Sequence, residues 1–333
     1  MCGLFGWFTS LLQKLFKMAM SMGSFATRTV ATVVVALDGT GDFTDIQEGI
    51  DSLPATGGGV YIKEGNYVLT ATINLAVDNV SLIGCGRSTQ LYNATASPII
   101  NITADNIHIE KIYFYSDDII FMDCLYFNGS DNCTVYSCWF EDWIGNAIYF
   151  TNCTNMIIYD NHFLASSSGN STIYGTFLDD SLIFGNIFDG VKPDGISLSE
   201  CLRDVISNNI FLSVTAGRAL FMSEVDDSII EGNFIRNTSV DGAYFGSCDN
   251  CVISGNVITD CNTTSNANSG GLRLPTLDKG VISNNLIFDN NIFDVKILAG
   301  SDRNVFIGNN LRGAGVGIFI DLGTNTQIAH NII

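Results

Sequence analysis

The sequence predicts an all-β chain wound as a parallel β-helix, a solenoid of about eleven coils preceded by an N-terminal amphipathic helix. Three observations carry that prediction. A nine-residue motif recurs along most of the 333 residues. Short β-branched strands alternate with polar turns and show no helical period between them. Charged residues make up only 15% of the chain, too few for surface helices laced with ion pairs.

Copies of the motif begin at Asn132 (NCTVYSCWF), Asn155 (NMIIYDNHF), Asp180, Arg203, Asp227, Asn250, Lys279, Arg303 and Asn325, with weaker ones at Asn79 and Asn106. They recur every 22 to 29 residues, one coil each. The fourth position is apolar throughout, from Leu82 and Ile109 to Ile328, and the ninth begins as a phenylalanine column, Phe114 to Phe211. Like residues stacked coil on coil bury one another, which a single coil cannot do. The seventh position reads Asn161, Asn186, Asn209, Asn233, Asn256, Asn285, Asn309 and Asn331. An amide at a sharp turn bonds the backbone and its stacked neighbours, so this column predicts a ladder. Before each copy lies an alternating strand with inward pairs such as Ile148/Phe150, Leu220/Met222 and Ile318/Ile320.

These columns resemble the right-handed parallel β-helix of the pectate-lyase-like superfamily, in which an asparagine ladder is common. The stretch DGTGDFTDIQEGIDSLPATGGGVYIKEGNYVLTATINL, Asp38 to Leu75, is similar to the opening shared by pectin esterases, polysaccharide lyases and phage tailspikes. Within it Ile46, Ile50 and Leu53 share one helix face suited to capping the core. The chain therefore divides into residues 1–24, an anchor or docking helix; 25–78, an entry strand and cap; and 79–333, the coils.

A net charge of −19 argues against a nucleic-acid partner, which needs Lys and Arg along one face. Three scattered histidines and an isolated Cys248-x-x-Cys251 give no metal-ligand spacing, and no motif calls for a cofactor. The superfamily's hydrolase, esterase and lyase signatures are incomplete. The best candidate acids and bases are Asp179 and Asp180, as a carboxylate pair, and the set Asp194, Arg218 and Glu224. Solvated turn residues are the simpler account of the Asp pair.

The outward positions of the second strand hold Tyr126, Tyr149, Tyr174, Ser197, Phe221, Tyr244, Arg273, Ile297 and Phe319, with small residues two positions on. Rings in a row suit either sugar stacking on a long glycan or packing against another copy of the rod, a trimer being the assembly the tailspike resemblance implies; a covering loop would also hide them. Asn-x-Ser/Thr sites at Asn79, Asn93, Asn101, Asn128, Asn132, Asn152, Asn170, Asn237 and Asn262 fit a surface outside the cell.

The opening MCGLFG resembles the start of the N-terminal-nucleophile glutamine amidotransferases, where Cys2 would be the nucleophile, but the coil repeat leaves no room for their sandwich fold. Residues 3–24 instead carry a narrow polar face (Ser10, Gln13, Lys14, Lys17, Ser21) on an otherwise apolar helix, suited to a membrane surface, a partner protein or the rod's own end. The sequence thus reads as a structural surface protein, a virion spike or fibre or a cell-surface rod. It would be anchored by its N-terminus, with glycan or other virion and surface proteins as partners. An extracellular polysaccharide lyase or glycoside hydrolase, and a scaffold subunit of a larger shell, are the alternatives.

Overall fold

All eleven motif copies begin with a residue in the left-handed backbone region, from Asn79 (φ 62°) to Asn325 (φ 52°). The sixth position is left-handed as well from Lys111 onward, through Ser137, Asp160, Gly185, Asn208, Gly232, Gly255, Asn284, Gly308 and His330. Glycine, asparagine and aspartate accept that region most readily and hold most of these positions, with Arg203, Lys279, Arg303, Lys111, Ser137 and His330 as the exceptions. Two such residues five apart make two corners, and the three-residue strand between them is the fourth position with its neighbours.

The computed structural model describes residues 31–93, 98–115, 123–166, 169–192, 194–313 and 317–333; the amphipathic helix expected over 1–24 lies outside them. The unit Thr32–Ile333 is built from three long parallel sheets. Sheet I has 13 strands, among them Thr134–Tyr136, Ile157–Tyr159 and Leu182–Phe184. Sheet II has 11 strands, such as Trp139–Glu141 and His162–Leu164, and sheet III has 11, such as Ile148–Thr154 and Leu220–Asp226. The chain visits I, II and III in turn and pairs each strand with its equivalent one coil on, as in Val135↔Ile158 and Phe140↔Phe163. At the N-terminal side a short helix, Ile46–Asp51, is capped by the Asp45 carboxylate and buries Ile46 and Ile50, with Leu53 just after it, against the core.

The core columns stack in register. Phe114, Phe140, Phe163, Phe188 and Phe211 are fully buried, with successive ring centroids 4.9, 4.9, 4.8 and 4.4 Å apart. The asparagine ladder is continuous from Asn161 to Asn331. Each Nδ2 donates to the next Oδ1 at 2.9–3.1 Å, and each Oδ1 also accepts the preceding coil's backbone N–H. One coil earlier Cys138 takes the same position, its N–H donating to Asn161 Oδ1 at 2.9 Å and its thiol pointing to Ile109 O at 3.8 Å. Cys133, Cys153, Cys201, Cys248 and Cys251 repeat this use of a thiol toward the previous coil's carbonyl. All nine cysteines among the described residues are unpaired, and only Cys85 is exposed.

Candidate functional site on the outer face of sheet III

Sheet III is where outward side chains carry the most varied chemistry. Strand register places Tyr126, Tyr149, Tyr174, Ser197, Phe221, Tyr244, Arg273 and Lys296 in one column. Tyr126 and Tyr149 stack at 4.9 Å, Tyr149 and Tyr174 lie 5.3 Å apart with planes tilted 41°, and Phe221 and Tyr244 stack at 5.1 Å. The rings are half-buried because they spend much of their faces on one another. Ring edges, phenol hydroxyls and the open parts of the tilted faces are what meet solvent. Ser197 interrupts the column between Tyr174 and Phe221 and is buried by them.

Phe319 does not belong to this column. It pairs with the inward Val295 and packs against the core, 5.0 Å from the Phe306 ring, and the inward Ile297 likewise cedes its place to Lys296. Leu274 precedes the next motif copy at Lys279 by five positions, whereas Ile297 precedes Arg303 by six. That one extra residue per coil exchanges inward for outward positions, so Ile318 and Ile320 are not the inward pair either.

Beside the second ring pair stands a charged cluster. The Arg218 guanidinium lies 4.9 Å from the Phe221 centroid and 5.1 Å from that of Tyr244, and Arg273 lies 5.4 Å from Tyr244. Arg218 Nε meets Asp241 Oδ2 at 3.3 Å, Arg273 Nη1 reaches the same oxygen at 3.9 Å, and Arg218 Nη1 stands 4.0 Å from Asp194 Oδ2. Both carboxylates also hold the backbone: Asp194 Oδ1 accepts the Arg218 N–H at 2.7 Å and Asp241 Oδ1 the Gly270 N–H at 3.0 Å. Asp123 and Asn146 serve the same corner on earlier coils, so this is a second polar ladder. Burial raises the carboxyls of Asp194 and Asp241 above the usual range, against the pull of those backbone bonds and of Arg218. Asp241 is closed off from solvent. Arg218, Asp194 Oδ2 and the rings remain to meet a ligand. Lys296 extends the basic side of the column, its Nζ 4.5 Å from the Phe293 ring.

The other candidate residues fall elsewhere. Glu224, exposed at φ 56°, bends its strand away from the sheet III face and does not join Arg218. Asp179 and Asp180 sit at the corner into sheet I, where Arg203 bonds Asp180 Oδ1 and Oδ2 at 3.0 and 2.8 Å and Asp179 accepts the Leu202 N–H at 3.0 Å. Those bonds tie one coil to the next. Of the Asn-x-Ser/Thr sites, Asn79, Asn128, Asn132, Asn152, Asn170 and Asn237 are exposed and Asn101 is half-buried. Asn262 is fully buried with its amide donating to Asn266 O and Ser269 O, which leaves no room for a glycan. Sequence reading missed Asp241, although the dipeptide Asp-Gly recurs at 194–195 and 241–242 at the start of two sheet III strands. It also missed the outward rings of sheet I, where Tyr136, Tyr159 and Phe184 stack at 4.4 and 5.1 Å.

A sequence profile described as a right handed beta helix region matches residues 90–224, and one described as periplasmic copper-binding protein (NosD) matches residues 182–313. The fold is that of a right-handed parallel β-helix. Solved β-helices superpose over most of its length at low identity. The A-module of the Azotobacter vinelandii mannuronan C-5 epimerase AlgE6 is 16% identical at a TM-score of 0.62, covering 85% of this chain and 94% of its own. The Dettilon tailspike protein gp208 is 16% identical at 0.59, over 86% and 68%. The catalytic domain of a GH87 α-1,3-glucanase in complex with nigerose is 13% identical at 0.53, over 92% and 69%. No curated protein matches this sequence. Among the described residues the side chains of this β-helix do not fit copper. Its histidines stand on separate coils, and burial pushes thiols such as Cys133, Cys201 and Cys248 up to about 12. Among the described residues no three His, Cys, Asp or Glu side chains converge on a metal-sized space. Nor is any helix among them long and apolar enough to cross a membrane.

Proposed function

We propose that this β-helix holds an extended glycan along the outer face of sheet III, as a carbohydrate-acting or carbohydrate-attaching protein working outside the cytoplasm. The observation that carries this reading is the aromatic column from Tyr126 to Tyr244, continued by Arg273 and Lys296 and flanked by Arg218, which sets partly open rings and phenol hydroxyls beside cations. Rings give a sugar its apolar contact and hydroxyls and guanidinium its polar one. Structural neighbours named for mannuronan and α-1,3-glucan chemistry support the same direction. A virion or cell-surface spike, anchored through residues 1–24, is the finer form of the proposal, supported by the tailspike neighbour. A lyase or hydrolase form rests on Asp194, whose raised carboxyl next to Arg218 suits proton transfer to a bound sugar.

The test is binding of the full chain to an array of neutral and acidic polysaccharides, repeated with Tyr149→Ala and Tyr244→Ala. Retention of one or more glycans by the parent, and a loss of tenfold or more in each variant, is expected. Full binding by both variants would remove the column from the site. Incubating any retained glycan with Asp194→Asn and with the parent separates attachment from turnover.

A further inference from the structure

The early coils of sheet II carry a second group of outward side chains that the sheet III site does not use. Register places Tyr113, Trp139 and His162 in one outward column and Tyr115 and Glu141 in the next. A single 3₁₀ turn, Gly86–Ser88, stands beside them, and a Cβ added at Gly86 would come within 3.8 Å of the Trp139 ring. From that turn Arg87 leans over the face. Its guanidinium lies 5.2 Å from the Tyr113 centroid, and its Nη2 donates to Glu141 Oε2 at 3.2 Å. The Tyr113 hydroxyl donates to the same oxygen at 2.7 Å, and Trp139 and His162 stack at 5.6 Å. Burial holds the His162 imidazole below its ordinary value, against the pull of Asp160 and with the help of Arg87. The neutral ring then offers one donor and one acceptor. Trp139, Tyr115, Glu141 and His162 are half-buried. Among the described residues the Trp139 indole N–H, the Tyr115 hydroxyl, Glu141 Oε1 and both His162 nitrogens have no hydrogen-bond partner.

We infer that this shelf on sheet II binds a short neutral saccharide, as a second glycan site that does not depend on sheet III. Composition selects a sugar. Rings with polar tips give its C–H faces an apolar contact and its hydroxyls bonding partners. The Arg87–Glu141 pair, held by Tyr113, adds a donor fork and an open acceptor at fixed places. Charge selects a neutral one. Glu141 matches Arg87, so the shelf has no surplus cation of the kind that Arg273 and Lys296 bring to sheet III, and the chain's net charge of −19 repels anions. Size selects a short one. Three coils about 4.8 Å apart and two columns about 7 Å apart give roughly 150–200 Å². A protein partner needs about 800 Å² from each side. Beyond His162 the column turns aliphatic at Ile187, which bounds the shelf.

The experiment titrates the full chain with cellohexaose, maltohexaose and mannohexaose, reading tryptophan emission and binding heat. At least one of them is expected to change the emission of the parent, and the change should be absent in Trp139→Phe. Arg87→Ala and Glu141→Gln should each weaken that binding tenfold or more with an unchanged far-ultraviolet spectrum. Tyr149→Ala/Tyr244→Ala should bind the same hexasaccharide as the parent does, since both residues lie on sheet III. Should Arg87→Ala lose its spectrum, Arg87→Lys takes its place, because it keeps the charge but not the planar fork. Failure of all three sugars to bind would overturn the inference, as would parental affinity in both Arg87→Ala and Glu141→Gln. Loss confined to Tyr149→Ala/Tyr244→Ala would also overturn it, and would leave the sheet III site standing. Binding that survives that pair and fails in the sheet II variants supports the second site whatever sheet III proves to hold.

Discussion

Asn209 lies in the middle of the ladder and is fully buried, so replacing it by alanine tests how much the ladder holds. Its Oδ1 accepts from the Asn186 N–H at 3.1 Å and from Asn186 Nδ2 at 3.0 Å, and its own Nδ2 donates to Ile183 O at 2.9 Å and Asn233 Oδ1 at 3.0 Å. The Asn186 amide side chain keeps other acceptors, Ile158 O and Phe184 O, and Asn233 Oδ1 keeps the Asn209 N–H. The Asn186 backbone N–H loses its acceptor inside the protein. One orphaned buried donor costs about 1–3 kcal/mol and each of the other lost bonds about 1. Asn209→Ala should therefore lose about 4–6 kcal/mol, large for one substitution. Asn331→Ala, at the half-buried last rung, should lose about 1 kcal/mol. Urea unfolding followed by circular dichroism gives both numbers. Coils contact only their neighbours, so the Asn209 variant should also split the transition into two steps. A loss under about 1 kcal/mol at Asn209, or equal losses at the two rungs, would refute the view that the ladder closes the corner by satisfying backbone groups.

Asp294 offers a test by pH. Burial pushes its carboxyl from 3.8 up to about 6, and although Oδ1 accepts from Asn290 Nδ2 at 2.9 Å, Oδ2 has no hydrogen-bond partner. The folded value lies above the unfolded one, so this group's contribution is full below about pH 4 and is lost as pH rises toward 6. Two pKa units correspond to about 3 kcal/mol, and solvent screening leaves about 1–2. Asp294→Asn should melt higher than the parent at pH 7 with the gap closing by pH 4; a constant gap would show that Asp294 does not titrate in this range. The cysteines predict a labelling pattern among the described residues: in the native chain iodoacetamide should modify Cys85 and spare the eight buried thiols until denaturant is added. Peptide mass mapping reads this, and modification of Cys201 or Cys248 at the Cys85 rate would contradict the burial of the thiol columns.

The core columns and the ladder were legible because each position is repeated on many coils, and repetition outweighs local ambiguity. The outward face was harder. Tyr126 through Tyr244 follow from counting back from the next motif copy, and that count holds while the corner between sheets III and I keeps one length. It lengthens by one residue after Ile297 and Phe319, where Gly300 and Gly323 let the chain turn, and nothing in the alternation of LAGSDR or LGTNT marks the shift. Glu224 was misplaced for a related reason: a left-handed residue inside a strand breaks the two-residue alternation. Asn262 satisfies a glycosylation pattern that says nothing of burial. Asp241 escaped notice because a carboxylate at a turn is commonplace, and its distinction is the pair of arginines brought to it from neighbouring coils.

The corners differ in how freely they change length. Along the ladder two residues intervene between sheets I and II, as Asp160 and Asn161 do between Tyr159 and His162, because the left-handed residue and the ladder amide both need their places. The early coil from Ile83 to Thr89, before the ladder, is the longer exception. Between sheets II and III two residues join Val191 to Asp194, and twelve join Thr259 to Leu272. Variation in this fold is thus greatest at the border where sheet III begins. New loops inserted there can rewrite what the aromatic column recognises while the rod beneath keeps its rise, its register and its stability. The same border is the natural place for an engineer to graft a foreign binding loop.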